Sequence, residues 1–189
     1  MRPEALTGGF AAPPTDAARA FRAVLDVLAR PGVIAEVTGA LPPAPLSPAA
    51  GVLALVLLDG TTPVHLAGAH DCPELRDWLA FHTGAPVVGA AEAAFAFGSW
   101  QALQPVSRFA TGTPEYPDRA ATLVIEMAAL SAEGPRLTGP GIAGATRLSL
   151  PETAAFRANR ALFPLGFDAF LTGGPRIAGL PRSTIVEDN

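Results

Sequence analysis

Few residues in this 189-residue chain have types and spacings that could do chemistry. The stretch Leu137 to Gly144, LTGPGIAG, could turn the N–H groups of Gly139 and Gly141 toward an anion such as a phosphate. Pro140 removes a donor from the middle of that cradle, and glycines serve equally well where a turn needs positive φ. We read the stretch as a turn between two strands. All three histidines and the sole cysteine fall at His65, His70, Cys72 and His82. Imidazole and thiolate ligate zinc, but this spacing matches no compact metal motif, and no metal is expected. His82 falls in the last turn of an expected helix, where an imidazolium gains from the helix dipole; it could also act as a general acid or base. Asp168 sits in an apolar stretch, FPLGFDAFL, where an unpaired carboxylate is costly to bury. Arg176 and Arg182 are its candidate partners, and a structural ion pair is expected. Arg182, Ser183 and Thr184 (GLPRSTIV) offer a guanidinium fork and hydroxyls suited to phosphate or phosphonate oxygens, or else the end of a strand docked on the domain. Asp59, Thr61 and Thr62 could form a polar rim, and a helix-ending turn explains them equally well.

Composition narrows the chemistry further. The 13 basic residues are all arginine, so no lysine is present to hold PLP as a Schiff base or to serve a Walker A loop. No G-x-S-x-G elbow, H-E-x-x-H pair or C-x-x-C occurs. A net charge of −4 without a basic stripe argues against nucleic acid as a partner. The longest apolar run, Ala49 to Leu58, is too short to span a bilayer, and MRPEALTGGF lacks the apolar core of a secretory signal, so a cytoplasmic protein is expected. Hydrophobic residues make up 49 % and charged ones 16 %, which leans apolar and favours a surface partly buried against partners.

These groups must be positioned by short, alternating elements. Residues 1–14 read as an arm and 15–189 as one domain. Thr15 is expected to cap a helix to about Arg30, followed by a strand over Val33–Val37. Ser47 and Pro48 open an apolar helix through Leu58. A strand over Pro63–Ala67 follows; then Asp71 and Glu74, at capping-box spacing, open a helix ending at His82. Short strands are expected at Pro86–Val88 and Ala93–Phe97, and a long polar loop over 104–119. Ala121–Met127 gives the clearest strand signal. Arg136–Thr138 and Thr146–Leu148 flank the glycine turn. Ser149 and Glu152, again at capping-box spacing, precede a helix to about Leu162 with Ala154, Ala155, Ala158, Ala161 and Leu162 inward. Strands at Phe167–Leu171 and Ile177–Leu180 complete an α/β fold with a central mixed sheet flanked by helices.

FRAVLDVLARPGVI, LLDGTTPVHL, LAFHTGAPVV, RLTGPGI, FPLGFDAFL and GLPRSTIVE, in this order from about Phe10 to Glu187, resemble the PhnH family of the bacterial carbon–phosphorus lyase system. The resemblance implies a fold like the large domain of PLP-dependent transferases without the cofactor site. It implies a homodimer in isolation and assembly with the G, I and J subunits and the ATPase-like L subunit. That complex forms a ribose 1-alkylphosphonate 5-triphosphate from ATP and a phosphonate. Two roles are open: an assembly subunit with no active site of its own, or a subunit that binds ATP or phosphonate. Under the second, the candidate residues are His82, Gly139, Gly141, Asp168, Arg182 and Thr184.

Overall fold

Apolar residues run without alternation along the central strands because both faces of the main sheet are covered. A computed structural model of the chain describes residues 6–187. Six strands lie in the order β1-β8-β7-β4-β3-β2: β1 Ile34–Glu36, β2 Val64–Leu66, β3 Phe95–Ser99, β4 Thr122–Glu126, β7 Asp168–Gly173 and β8 Arg176–Leu180. β2, β3, β4 and β7 are parallel neighbours, and β8 runs antiparallel to both β7 and β1. In β4, Val124 points to one core while Leu123 and Ile125 point to the other; in β7, Phe170 is split in the same way from Ala169 and Leu171. Double burial of this kind selects near-continuous apolar strands. The expected α/β class with a central mixed sheet flanked by helices is what the chain forms.

Three helices cover one face: α1 Pro13–Ala29, α2 Pro48–Leu57 and α3 Pro73–His82. α1 buries Ala20, Val24 and Val27, one stripe at helical spacing. It lies close on β8 because Gly179 has no side chain: a Cβ there would stand 2.7 Å from the Leu28 Cα and the Val27 carbonyl oxygen. α2 buries Ala49 to Ala54 without a break, and Ser47 caps it by accepting the Ala50 N–H at 3.2 Å, as expected. The other face carries the short α4 Trp100–Leu103, α5 Thr153–Ala161 and a small antiparallel sheet. That sheet has the order β6-β5-β9: β5 Arg136–Thr138, β6 Thr146–Arg147 and β9 Ile185–Val186.

Two helix starts differ from expectation for one physical reason. A residue before proline is pushed out of helical conformation. Were Asp71 the cap of α3, Cys72 would have to be helical directly before Pro73; instead Cys72 is the extended cap residue and Asp71 pairs with Arg76 at 2.5 Å. Were Ser149 the cap of α5, Leu150 would face the same conflict with Pro151. Glu152 takes the cap position, its carboxylate accepts the Trp100 indole N–H at 2.9 Å, and the Ser149 hydroxyl accepts the Ser131 N–H. α5 turns Phe156 and Asn159 inward, and Leu162 is exposed. α1 begins at Pro13, two residues before Thr15, because prolines fit the first turn, where N–H groups have no helical acceptor. Residues 86–88 contribute only a single bridge, Val64 to Val87, in place of a strand. Residues 104–119 are organised by two 3-10 turns and a bridge from Thr111 to Ala120.

Candidate functional site

The glycine-rich stretch joins β5 to β6 as a hairpin, with Arg136 opposite Arg147 and Leu137 opposite Thr146. Gly139 and Gly141 both have positive φ, at +125° and +80°. A Cβ on Gly141 would come 2.0 Å from the Ala29 carbonyl oxygen, so this glycine lets the turn press against the end of α1. Gly139 lies beside Ser183 and Thr184 where β5 meets β9. The geometry accounts for both glycines through turn shape and packing, as the turn reading expects.

Asp168 opens β7, and Arg182 follows the end of β8, its antiparallel neighbour. The two form the expected ion pair. Arg182 Nη2 meets Asp168 Oδ2 at 2.6 Å, Nε meets Oδ1 at 3.1 Å, and the Arg182 backbone N–H donates to the same Oδ1 at 2.8 Å. The remaining guanidinium nitrogen, Nη1, donates to the Pro117 carbonyl at 2.6 Å. The fork therefore pins the 104–119 loop to the sheet. Arg176 instead donates to the Leu130 carbonyl at 2.8 Å. Thr184 is buried, and its hydroxyl has no hydrogen-bond partner among the described residues.

His82 occupies a different place. Its Nε2 donates to the Thr7 carbonyl at 3.0 Å, and Trp78 Nε1 donates to the same oxygen at 3.0 Å. Gly9 rests against the imidazole, where a Cβ would stand 2.7 Å from Nδ1. His82 thus fastens residues 7–9 across α3, and it lines a cleft of about 300 Å³ with Leu6, Pro13, Ala17 and Leu55. Of the candidate residues, Asp168 and Arg182 meet directly, Gly139 neighbours Thr184, and His82 lies in a cleft whose lining includes none of the others. The remaining metal-type residues also have separate surroundings. His65 Nδ1 is 3.1 Å from the Val88 carbonyl, His70 is buried in a setting that holds its pKa below the usual range, and Cys72 begins α3. No group of three His, Cys, Asp or Glu side chains able to hold a metal occurs among the described residues.

Glu126 was not singled out by sequence reasoning. It ends β4, at the carboxyl ends of the parallel strands, where ligands of open α/β sheets commonly bind. Here the position is filled by the start of α2. The Ser47 N–H donates to Glu126 Oε1 at 2.7 Å, and the Thr172 hydroxyl stands 3.1 Å from Oε2. Burial pushes the Glu126 carboxyl above its ordinary range, partly offset by these hydrogen bonds. A lone acid closing an otherwise apolar strand was the available signal.

Against known proteins, residues 8–187 match the family described as bacterial phosphonate metabolism protein (PhnH). The chain is also 43 % identical, over 190 residues, to the alpha-D-ribose 1-methylphosphonate 5-triphosphate synthase subunit PhnH of Rhizobium meliloti (strain 1021). That alignment covers 96 % of this chain and 95 % of the relative.

Proposed function

Because the chain belongs to the PhnH family of bacterial phosphonate metabolism proteins, we propose that it is a subunit of an alpha-D-ribose 1-methylphosphonate 5-triphosphate synthase complex used in phosphonate breakdown. The end-to-end match to a relative bearing that name is the observation that carries this reading. Within the complex its role is assembly. Asp168 and Arg182 neutralise each other, His82 is engaged by the chain's own residues 7–9, and Gly139 and Gly141 shape a turn. Five of the six candidate groups thus have a structural task, which supports a subunit that contributes surface rather than reacting atoms.

The partners under this reading are the G, I and J subunits of the carbon–phosphorus lyase core, joined by the ATPase-like L subunit, and the isolated chain is a cytoplasmic homodimer. No helix among the described residues is long and apolar enough to cross a membrane. A single antiparallel strand within an otherwise parallel sheet, with helices on its flanks, supports kinship with the large domain of PLP-dependent transferases. The chain works without that cofactor, having no lysine to bind it.

Size-exclusion chromatography with light scattering tests the proposal on the chain alone and after co-expression with the G, I and J subunits. Stoichiometric co-elution, with neither ATP nor methylphosphonate bound by the isolated chain, is the expected result. A lone chain that ignores those subunits yet binds either ligand would overturn it.

A further inference from the structure

We propose that β1 is a self-pairing edge. The β1 of a second copy of this chain adds antiparallel to it about a two-fold axis at Ala35, joining two six-stranded sheets and setting the two α1 helices side by side. The inference rests on the reading of the isolated chain as a homodimer and deepens it by naming the surface. A free strand edge carries unpaired N–H and C=O groups that another strand can use. The main sheet treats its two edges differently. At β2 the chain covers its own edge: the Val64 N–H donates to the Pro86 carbonyl at 2.9 Å, and the Val88 N–H to the Val64 carbonyl at 2.8 Å. No described residue covers β1 in this way. The Val37 N–H donates to the Pro175 carbonyl, one step along from the Glu36–Arg176 pair. By antiparallel alternation Val37 and Ala35 bond toward β8, while Ile34 and Glu36 turn their backbone groups outward. About an axis at Ala35, Ile34 and Glu36 of one copy exchange hydrogen bonds with Glu36 and Ile34 of the other. Each Glu36 then stands opposite an isoleucine and not opposite its own equivalent.

The side of α1 above this edge selects the same partner. A groove of about 360 Å³ runs between the two elements, lined by Asp16, Arg19 and Ala23 from the helix and by Glu36 and Val37 from the strand and its continuation. Asp16, Arg19, Ala23, Asp26 and Arg30 recur at alternating three- and four-residue steps, the spacing of a seam between two helices. Their charges read minus, plus, neutral, minus, plus. Turned end for end about Ala23, this order sets Asp16 against Arg30 and Arg19 against Asp26 of the other copy, so every contact is attractive. The two axes coincide. Gly179, next to the Ala178 that pairs with Ile34, lies under Val27 and Leu28, and the groove brings Ala23 beside Glu36 and Val37. Ala35 falls between, level with Ala23. With strands about 4.8 Å apart and α1 seated over β1 and β8, the two helices would lie about 10 Å apart, an ordinary packing distance. Within one chain Asp26 pairs with Arg30, and Asp16 reaches Arg19 at 3.8 Å, all on side chains at least partly exposed. Exchange of these partners across the seam therefore chooses the second copy and its orientation, while strand pairing and the covered groove supply the affinity.

Sedimentation of the full chain over a range of concentrations gives the dimer dissociation constant, and melting of each variant verifies folding. Glu36→Pro removes an outward N–H and places a ring where the second strand would lie; the constant is expected to rise at least about tenfold. Arg19→Asp or Asp26→Arg alone sets like charges across the seam and should raise it about threefold to tenfold, less at high salt. Arg19→Asp combined with Asp26→Arg restores opposite charges between copies and should return it to within about twofold of the native value. Residues 19 and 26 are two turns apart and do not meet within one helix. The rescue therefore reads only the contact between copies, and it decides the question even if Glu36→Pro fails to fold. Equal constants for the native chain and the single variants would overturn the inference and leave a homodimer built on another face. So would a Glu36→Pro chain that remains dimeric but no longer co-elutes with the G, I and J subunits, because the edge would then receive a strand from one of them. A native chain that stays monomeric is a separate result: it removes the homodimer reading itself, and this inference with it.

Discussion

Replacing Glu126 by Gln tests the account of the strand ends. The native carboxylate accepts the Ser47 N–H and contacts the Thr172 hydroxyl, joining the start of α2 to β4 and β7. Gln keeps the acceptor for Ser47 and offers an amide that can donate to the Thr172 oxygen, but it carries no charge. Burial raises the folded-state pKa of Glu126 above its unfolded value, ordinarily about 4.3. The sign follows directly. The stabilisation from the protonated form is complete below the unfolded pKa and is lost as pH rises through the folded pKa. The Gln variant has no such loss. Its stability relative to the native protein should therefore improve from about pH 4 upward and level off once native Glu126 is ionised. At neutral pH the Gln variant should lie within about 1 kcal/mol of the native chain, because the hydrogen bonds are conserved. Glu126→Ala, which leaves the Ser47 N–H without its acceptor, should cost about 1–3 kcal/mol. Urea unfolding followed by circular dichroism between pH 4 and 8 gives all three quantities. A difference between native and Gln proteins that does not vary with pH, or that favours the native protein increasingly as pH rises, would refute the reasoning.

Three further outcomes are expected. Gly179→Val should destabilise by about 1–3 kcal/mol in chemical denaturation, since its Cβ must displace the backbone of α1 at Val27 and Leu28. Arg182→Ala should cost about 1–3 kcal/mol by thermal unfolding, and release of the Pro117 carbonyl should speed proteolysis within residues 104–119. His82→Ala should cost about 1 kcal/mol and raise hydrogen exchange at residues 7–9, while Trp78 retains its hold on Thr7.

The layers were legible because their signals are local. Ala121–Met127 contains β4, Ser47-Pro48 starts α2, and the glycine turn joins two paired strands, each as periodicity and turn chemistry indicate. Helix starts were less legible. The capping-box spacings at Asp71/Glu74 and Ser149/Glu152 are real, but Pro73 and Pro151 impose a stronger backbone restriction at the next position. The ion pair of Asp168 was legible from the cost of burying its charge. The choice of Arg182 over Arg176 depends on where β8 ends, and the sequence does not state that. Glu126 escaped notice because its partners, Ser47 and Thr172, lie far away in the chain and meet it only after the strands align. His82 showed its helical position, but its bond to Thr7 depends on the path of a segment with no periodicity.

The place of β1 bears on how the chain must be made. β1 comes early in the sequence, yet its only neighbour in the sheet among the described residues is β8, about 140 residues later, and α1 packs on that same strand. A nascent chain emerging from the ribosome can align β2, β3 and β4 early, but it cannot close the opposite edge until residues 176–180 have been synthesised. The first helix and strand must wait, with apolar surface uncovered, for the last hairpin to arrive. Such long-range closure slows folding and lengthens the interval during which the chain can aggregate. Premature termination before residue 176 would therefore remove not just β8 and β9 but the docking site of α1 and β1.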